Sequence, residues 1–170
     1  MSTQPLVRLT YASTATFEPN GSGGIEVAVG QVLAESRRNN KKQEIGGVLH
    51  FGNGYFFQCL EGDRHAVENC FQKICEDARH RDVQRLSRIN VDRRIFPDWS
   101  MKYLPVETEV TGLLRRHNMD FNPYRFDDTM VSELLDACAR GHDPSVDSNA
   151  ATNQTRPAKP SLFKRLIGAA

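Results

Sequence analysis

The order of elements along this sequence predicts an α+β fold, a ferredoxin-like βαββαββ sandwich. Five strands form one mixed sheet, two helices cover one face, and a C-terminal helical pair covers the other. Three observations carry that expectation. Strand-like alternation and helical spacing follow one another over residues 5–104 in the order strand, helix, strand, strand, helix, strand, strand. G-N-G at 52–54 contains the Asn-Gly pair favoured by tight hairpins, which makes the second and third strands antiparallel neighbours. The third strand, Y-F-F-Q-C-L-E-G at 55–62, is apolar on both faces, so both sides of the sheet need a cover.

Each element has its own warrant. In the first strand, L-V-R-L-T-Y at 6–11, Val7, Leu9 and Tyr11 share one face and Arg8 and Thr10 the other. E-P-N-G-S-G-G at 18–24 is a loop by composition. Ile25 to Asn39 carries Ile25, Ala28, Val29, Val32, Leu33 and Ser36 on one helical stripe, and R-R-N-N-K-K-Q-E ends it in polar residues. I-G-G-V-L-H-F at 45–51 is the second strand. In the third, Phe56, Gln58 and Leu60 face one way and Tyr55, Phe57 and Cys59 the other. Asp63 is placed to cap a helix whose stripe is Val67, Cys70, Phe71, Ile74 and Ala78. V-Q-R-L-S-R-I-N-V-D at 83–92 reads as a fourth strand with one wet face. W-S-M-K-Y-L at 99–104 reads as a fifth, with Trp99, Met101 and Tyr103 aligned.

The two C-terminal helices are expected at 106–118 and 128–140, within a cap spanning 105–141; the second carries Met130, Leu134, Leu135 and Cys138 and stops at Gly141. Residues 142–160, rich in Ser, Asn, Thr, Ala and Pro, read as a disordered linker. Residues 161–170 form a short amphipathic tail with Leu162, Phe163, Leu166 and Ile167 on helical spacing, too short to hold a helix alone.

Composition narrows the function classes. With 22 basic and 21 acidic residues there is no electrostatic footprint for direct nucleic-acid binding. No signal peptide or membrane-length apolar run is visible, and the four cysteines show neither C-x-x-C pairing nor zinc spacing. A cytoplasmic protein with reduced thiols is expected.

Strand parity then brings three uncharged polar residues together. Tyr11 shares its face with Val7 and Leu9, and Gln58 shares its face with Phe56 and Leu60. Under two covering helices these side chains can meet, and Asn40, at the end of the first helix, can point into the same space. A phenol and two amides offer donors and acceptors without charge. That set suits the edge of a flat heterocycle with alternating carbonyl and N–H groups, and suits neither phosphate nor metal. Taken singly, each residue has a plainer reading: a core tyrosine, a backbone-satisfied glutamine, a helix C-cap at Asn40, core packing for Trp99 and Met101, and a helix-end cation at His80.

Taken in register, the residues resemble a family. L-T-Y-A-S at 9–13, R-R-N-N at 37–40, I-G-G-V-L at 45–49, F-F-Q-C-L-E-G at 56–62, D-A-R-H at 77–80 and F-P-D-W-S-M at 96–101 look like a BLUF domain, the flavin-binding blue-light sensor module. The resemblance covers residues 5–104. It implies FAD held without a covalent bond, its ring between the two helices. By position, Tyr11 is the electron and proton donor and Gln58 the switching amide. Asn40 holds a ring carbonyl with Asn39 beside it, and Val32 and Ile74 sandwich the ring. Lys73, Arg79 and His80 lie at the ring edge or its surroundings, and Trp99 and Met101 are relay residues on the last strand.

The same resemblance implies a sensor rather than an enzyme. Its signal would pass through the last strand and C-terminal helices to a separate regulatory protein, with homo-oligomers possible in principle. Two positions depart from the family: the E-P-N-G-S-G-G insert, and Gly46 where Thr is common, which is expected to loosen the second strand. Cys59, on the parity opposite to Gln58, is expected to pack beneath the C-terminal helices. Two alternatives share the topology: a small hydrolase of the acylphosphatase kind, disfavoured because the first loop lacks an Arg, and an interaction module that has lost its flavin.

Overall fold

The computed structural model describes residues 5–17, 24–98, 100–104 and 109–140. Strand β1 (Leu6–Ala15) leads into helix α1 (Gly24–Lys42), then β2 (Gly46–Gly52), β3 (Tyr55–Asp63), α2 (Arg64–Glu76), β4 (His80–Val91) and β5 (Lys102–Leu104). Helix α3 (Glu109–Arg116), a 3-10 turn at Pro123–Arg125 and α4 (Asp128–Arg140) follow. The sheet order is β4-β1-β3-β2-β5, antiparallel apart from the parallel β2–β5 edge. The ferredoxin-like arrangement with one added strand is therefore present.

The sheet separates two cores. On one face Val7, Leu9, Tyr11, Leu49, Phe56 and Leu60 pack against Val29, Val32 and Leu33 of α1 and Val67 of α2. On the other, Val48, Phe57 and Cys59 pack against Val110 and Leu113 of α3 and Met130, Leu134 and Cys138 of α4. The alternating parity of β3 thus divides its side chains between the two cores, and Cys59 lies beneath the C-terminal helices as expected.

Local chemistry fixes the joints. Asn53 (φ 51°) and Gly54 (φ 79°) both take the left-handed conformation that a two-residue hairpin turn requires. The Asp63 carboxylate accepts from the backbone N–H groups of His65 (2.9 Å) and Ala66 (3.1 Å), capping α2. Gly47 lets its strand lie close to β3: a Cβ there would lie 2.0 Å from the Cys59 carbonyl oxygen. The close pairing of β2 with β3 depends on that missing atom. Glu61 is fully buried on β3. It accepts from Arg8 Nε (2.5 Å) and from the backbone N–H groups of Ile95 (2.8 Å) and Phe96 (2.9 Å), fastening the segment that precedes β5.

Several boundaries differ from the sequence expectation. β1 runs to Ala15 rather than Tyr11, because Ala12 to Ala15 are held by ladders on both sides, to β3 and to β4, which their small side chains do not advertise. α1 continues to Lys42, so Asn40 sits within its last turn instead of capping it. α2 ends at Glu76, and Ala78 falls in the turn beyond. β4 starts at His80, which is therefore a buried strand residue and not a cation at a helix end. β5 starts at Lys102 rather than at residue 99, because side chains of α1 take the preceding carbonyls: Asn40 Nδ2 donates to Ser100 O (3.0 Å) and Arg37 Nε to Met101 O (2.9 Å). α3 stops at Arg116, short of the expected residue 118, and Asn118 turns left-handed at φ 49°. Trp99, the 142–160 segment and the 161–170 tail lie outside the described residues.

Candidate functional site

A cavity of about 300 Å³ opens between α1 and α2 above β3. Its floor is buried and made by Asn40, Gln58 and His80; Val32 and Ile74 stand on α1 and α2, and Asn39, Lys42 and Lys73 are exposed at its mouth. Of the sequence-picked residues, Val32, Asn39, Asn40, Gln58, Lys73, Ile74, Arg79 and His80 all line this one space. Tyr11 and Met101 stand directly behind it, each bonded to Gln58. Cys70, Glu35, Ser36, Gln43, Lys42 and Asp77 also line it and were not singled out from the sequence.

Strand register builds the floor. Tyr11 of β1 and Gln58 of β3 are paired directly across the ladder. β4 shifts register against β1 on both sides of Tyr11, between Thr10 and Tyr11 and between Ala12 and Thr14, with Asp82 left-handed at φ 53° in the second bulge. Bulges of this kind re-aim side chains next to sites. The Tyr11 hydroxyl donates to Gln58 Oε1, and Gln58 Nε2 donates to Met101 Sδ at 3.4 Å. A thioether is a weak acceptor, so the amide N–H₂ of Gln58 has donor capacity to spare at the cavity floor.

Asn40 is 2% exposed. Its Nδ2 is taken by Ser100 O, and its Oδ1 accepts weakly from the Cys70 thiol at 3.7 Å, a bond that a better donor in the cavity would replace. His80 Nδ1 lies 2.8 Å from Ser13 Oγ, and its ring packs tilted at 40° against Phe56, centroids 4.7 Å apart. Arg79 closes one side, paired with Asp77 (2.5 Å) and reaching Glu35 on α1 (2.8 Å).

Electrostatics keeps the floor neutral. Burial holds the Tyr11 phenol well above its ordinary pKa, with the nearby Cys70, Cys75 and Asp77 adding to the shift, so the hydroxyl keeps its proton. Burial lowers His80 to about 4, so the imidazole is uncharged at neutral pH. Burial also lifts Cys70 to about 11, against the pull of Lys73, so it is a thiol. The hydrogen bond from Arg79 lowers Asp77, which stays ionised. Among the described residues no group of His, Cys, Asp and Glu gathers to hold a metal, and no helix is long and apolar enough to cross a membrane.

Fold and site define a ferredoxin-like α+β domain built around an uncharged, hydrogen-bonding cleft between two helices. The family described as sensors of blue-light using FAD matches residues 6–102, and the chain belongs to this BLUF family. Over 97 residues it is 33% identical to the photoactivated adenylate cyclase subunit beta of Euglena gracilis, covering 56% of this chain and 11% of that protein. Over 56 residues it is 32% identical to the blue light- and temperature-regulated antirepressor of Escherichia coli, covering 33% of this chain and 14% of the relative. The chain thus spans about a tenth of the cyclase's length. Its fold superposes on BlsA in the photo-activated state with a TM-score of 0.75 at 32% identity, covering 81% of this chain and 97% of the other. It also superposes on BlrB in the dark state with a TM-score of 0.65 at 27% identity, covering 80% and 96%.

Proposed function

We propose that this chain is a blue-light receptor that binds FAD non-covalently between α1 and α2 and reads the excited ring through Tyr11 and Gln58. The observation that carries the reading is the bonded row at the cavity floor, Tyr11 hydroxyl to Gln58 Oε1 and Gln58 Nε2 to Met101 Sδ. The donor set fits a flavin edge. Two amides, Asn40 and Gln58, face the space with no formal charge between them, and Val32 and Ile74 give it apolar walls. A cavity of about 300 Å³ is at the lower end of small-molecule sites and accepts a ring system.

Bound there, the flavin supplies blue-light absorption and an excited-state oxidant. The residues do the rest. With flavin bound, Tyr11, protonated and buried, would be the donor of an electron to the excited ring and of a proton through its bond to Gln58. On return the Gln58 amide would be left rotated or tautomerised, with its hydrogen bonds to the cavity and to Met101 changed. A strengthened hydrogen bond from Gln58 to the ring would stabilise the excited state more than the ground state and move absorption to the red. Asn40 orients the ring, with Asn39, Lys73, Arg79 and His80 around its edge.

The signal leaves by β5 and the C-terminal helices, with Trp99 and Met101 as relay, and biases a two-state element read by a separate regulatory protein. The names of the relatives support an effector outside the light-sensing unit: one couples light to a cyclase and another to antirepression. The chain itself is then a sensor without catalysis, acting inside the cell by protein contact.

The test is spectroscopic. The purified protein is expected to be yellow, with a flavin band that shifts reversibly to the red under blue light. Tyr11→Phe and Gln58→Ala are each expected to keep the fold and the flavin while losing that shift. A Gln58→Ala protein with the full wild-type shift, or a preparation that refuses added FAD, overturns the reading.

A further inference from the structure

We propose that Lys102 is the residue through which a change in the Asn40–Gln58 pair reaches the C-terminal end of α4. The inference rests on the photochemical reading above and names the contact that carries its signal. Both candidate flavin amides converge on one short piece of chain. Asn40 Nδ2 holds the carbonyl of Ser100 at 3.0 Å, and Gln58 Nε2 holds the sulfur of Met101 at 3.4 Å. The next residue is Lys102. Successive strand residues point to opposite faces, so Met101 lies in the core beneath α1 and α2 while Lys102 crosses to the other side of the sheet. It pairs with Val48, whose side chain belongs to the core under α3 and α4.

There the Lys102 ammonium, 3% exposed, donates to the Cys138 carbonyl oxygen at 2.9 Å. Cys138 lies in the last turn of α4, which ends at Arg140. The ammonium there meets a backbone carbonyl in the last described turn of α4, towards the negative end of the helix. A buried ammonium is held to good hydrogen-bond geometry, so a small displacement of its backbone is felt at its partner. The backbone concerned is thinly held: β5 has three residues and a single parallel neighbour. Short edge strands are at the low-stability end of a fold. When Gln58 turns and releases Met101, and Asn40 shifts its hold on Ser100, β5 moves and the Lys102 cap on α4 weakens. The last described turn of α4 is thereby loosened by light.

Hydrogen exchange by mass spectrometry on the flavin-loaded full chain, dark and under blue light, tests this. In the unsubstituted protein, light is expected to speed exchange in the last turn of α4 by roughly fivefold to thirtyfold, the ratio that loss of a partly buried helix-end cation would give, and to leave its first turn unchanged. Lys102→Met is expected to raise dark exchange of that turn to the lit level and erase the light–dark difference, with the red shift of the absorption band intact. Lys102→Arg, which keeps charge and donor, is expected to retain the difference. A Lys102→Met protein with the wild-type light–dark difference overturns the proposal. So does a light response spread evenly over α3 and α4 in the unsubstituted chain, a result that stands even if the Met variant does not fold. A red shift without any α4 response overturns the coupling alone; absence of the red shift overturns the photochemical reading and the coupling with it.

Discussion

At the scale of single residues, the site depends on side chains kept neutral by burial. His80 gives this a measurable consequence. Its folded-state pKa is lowered to about 4 by burial, against the ordinary value of 6.5. Between those values the unfolded chain binds a proton that the folded chain refuses, so stability is unaffected above about pH 6.5 and falls as pH drops towards about 4. The full loss is on the order of 3 kcal/mol. Urea unfolding across that window is expected to show the decline, and His80→Gln, which can still give Ser13 a partner, is expected to flatten it. A slope unchanged in the variant assigns the acid sensitivity elsewhere. This residue also marks what the sequence conceals. Parity alone was enough to bring Tyr11 and Gln58 together, since both sit on strands with clear alternation. His80 follows a turn, where neither period applies, and its neutrality comes from Ser13, Phe56 and Tyr11, all distant in sequence. Cys70 was read as one more apolar position between Val67 and Ile74, and nothing local says that its thiol faces Asn40. The Glu35–Arg79–Asp77 group was likewise out of reach, because it joins α1 to the turn before β4.

At the scale of elements, the sequence was clearest where one period ran uninterrupted and least clear where backbone pairing overrode side-chain pattern. The hairpin at Asn53–Gly54 and the cap at Asp63 are local chemistry and were read directly. The length of β1 was not, because the two ladders that hold Ala12 to Ala15 come from β3 and β4. Nor was the shortness of β5, whose start is set by two α1 side chains taking the carbonyls of Ser100 and Met101. The need for glycine at position 47 is hidden for the same reason. From the sequence, Gly46 in place of the common Thr suggests a slack strand, and Gly47 carries no signal of its own. In the sheet, the Cβ of any other residue would collide with the Cys59 carbonyl at 2.0 Å. That oxygen belongs to the partner strand's backbone and has no flexible end to move aside. Gly47→Ala is therefore expected to destabilise by at least about 3 kcal/mol, the upper end of overpacking effects, through separation of β2 from β3. Because Gln58 lies on β3 opposite Leu49, the same variant is also expected to widen the proposed flavin site. Chemical denaturation reads the first effect, and flavin content after purification reads the second. A variant of wild-type stability would mean that the strands can part at that point without penalty.

At the scale of the whole molecule, one sheet serves two cores, and the family match covers one of them more fully than the other. The match ends at residue 102, before α3 begins at Glu109. Yet Val48, Phe57, Cys59 and Phe96, all within the matched span, are buried against Val110, Leu113, Leu134 and Cys138 beyond it. A light-sensing unit cut at Leu104 would present that whole sheet face to water and leave Lys102 without the Cys138 carbonyl. Contiguous apolar patches of that kind are rarely exposed by stable monomers. The helical pair is therefore expected to be part of the folding unit, as the proposed signalling route through it requires. Two truncations decide this. A chain ending at Arg140 is expected to unfold in one cooperative transition, with flavin and both cores lost together. A chain ending at Leu104 is expected to aggregate, or to bind a hydrophobic dye and load flavin poorly. Should the shorter chain prove monomeric and photoactive with unchanged flavin affinity, the two faces of the sheet would be energetically separate. A sensor needs the opposite. The site can bias α4 only if α4, through the face it covers, also bears on the stability of the site, because coupling between two parts of one molecule is reciprocal.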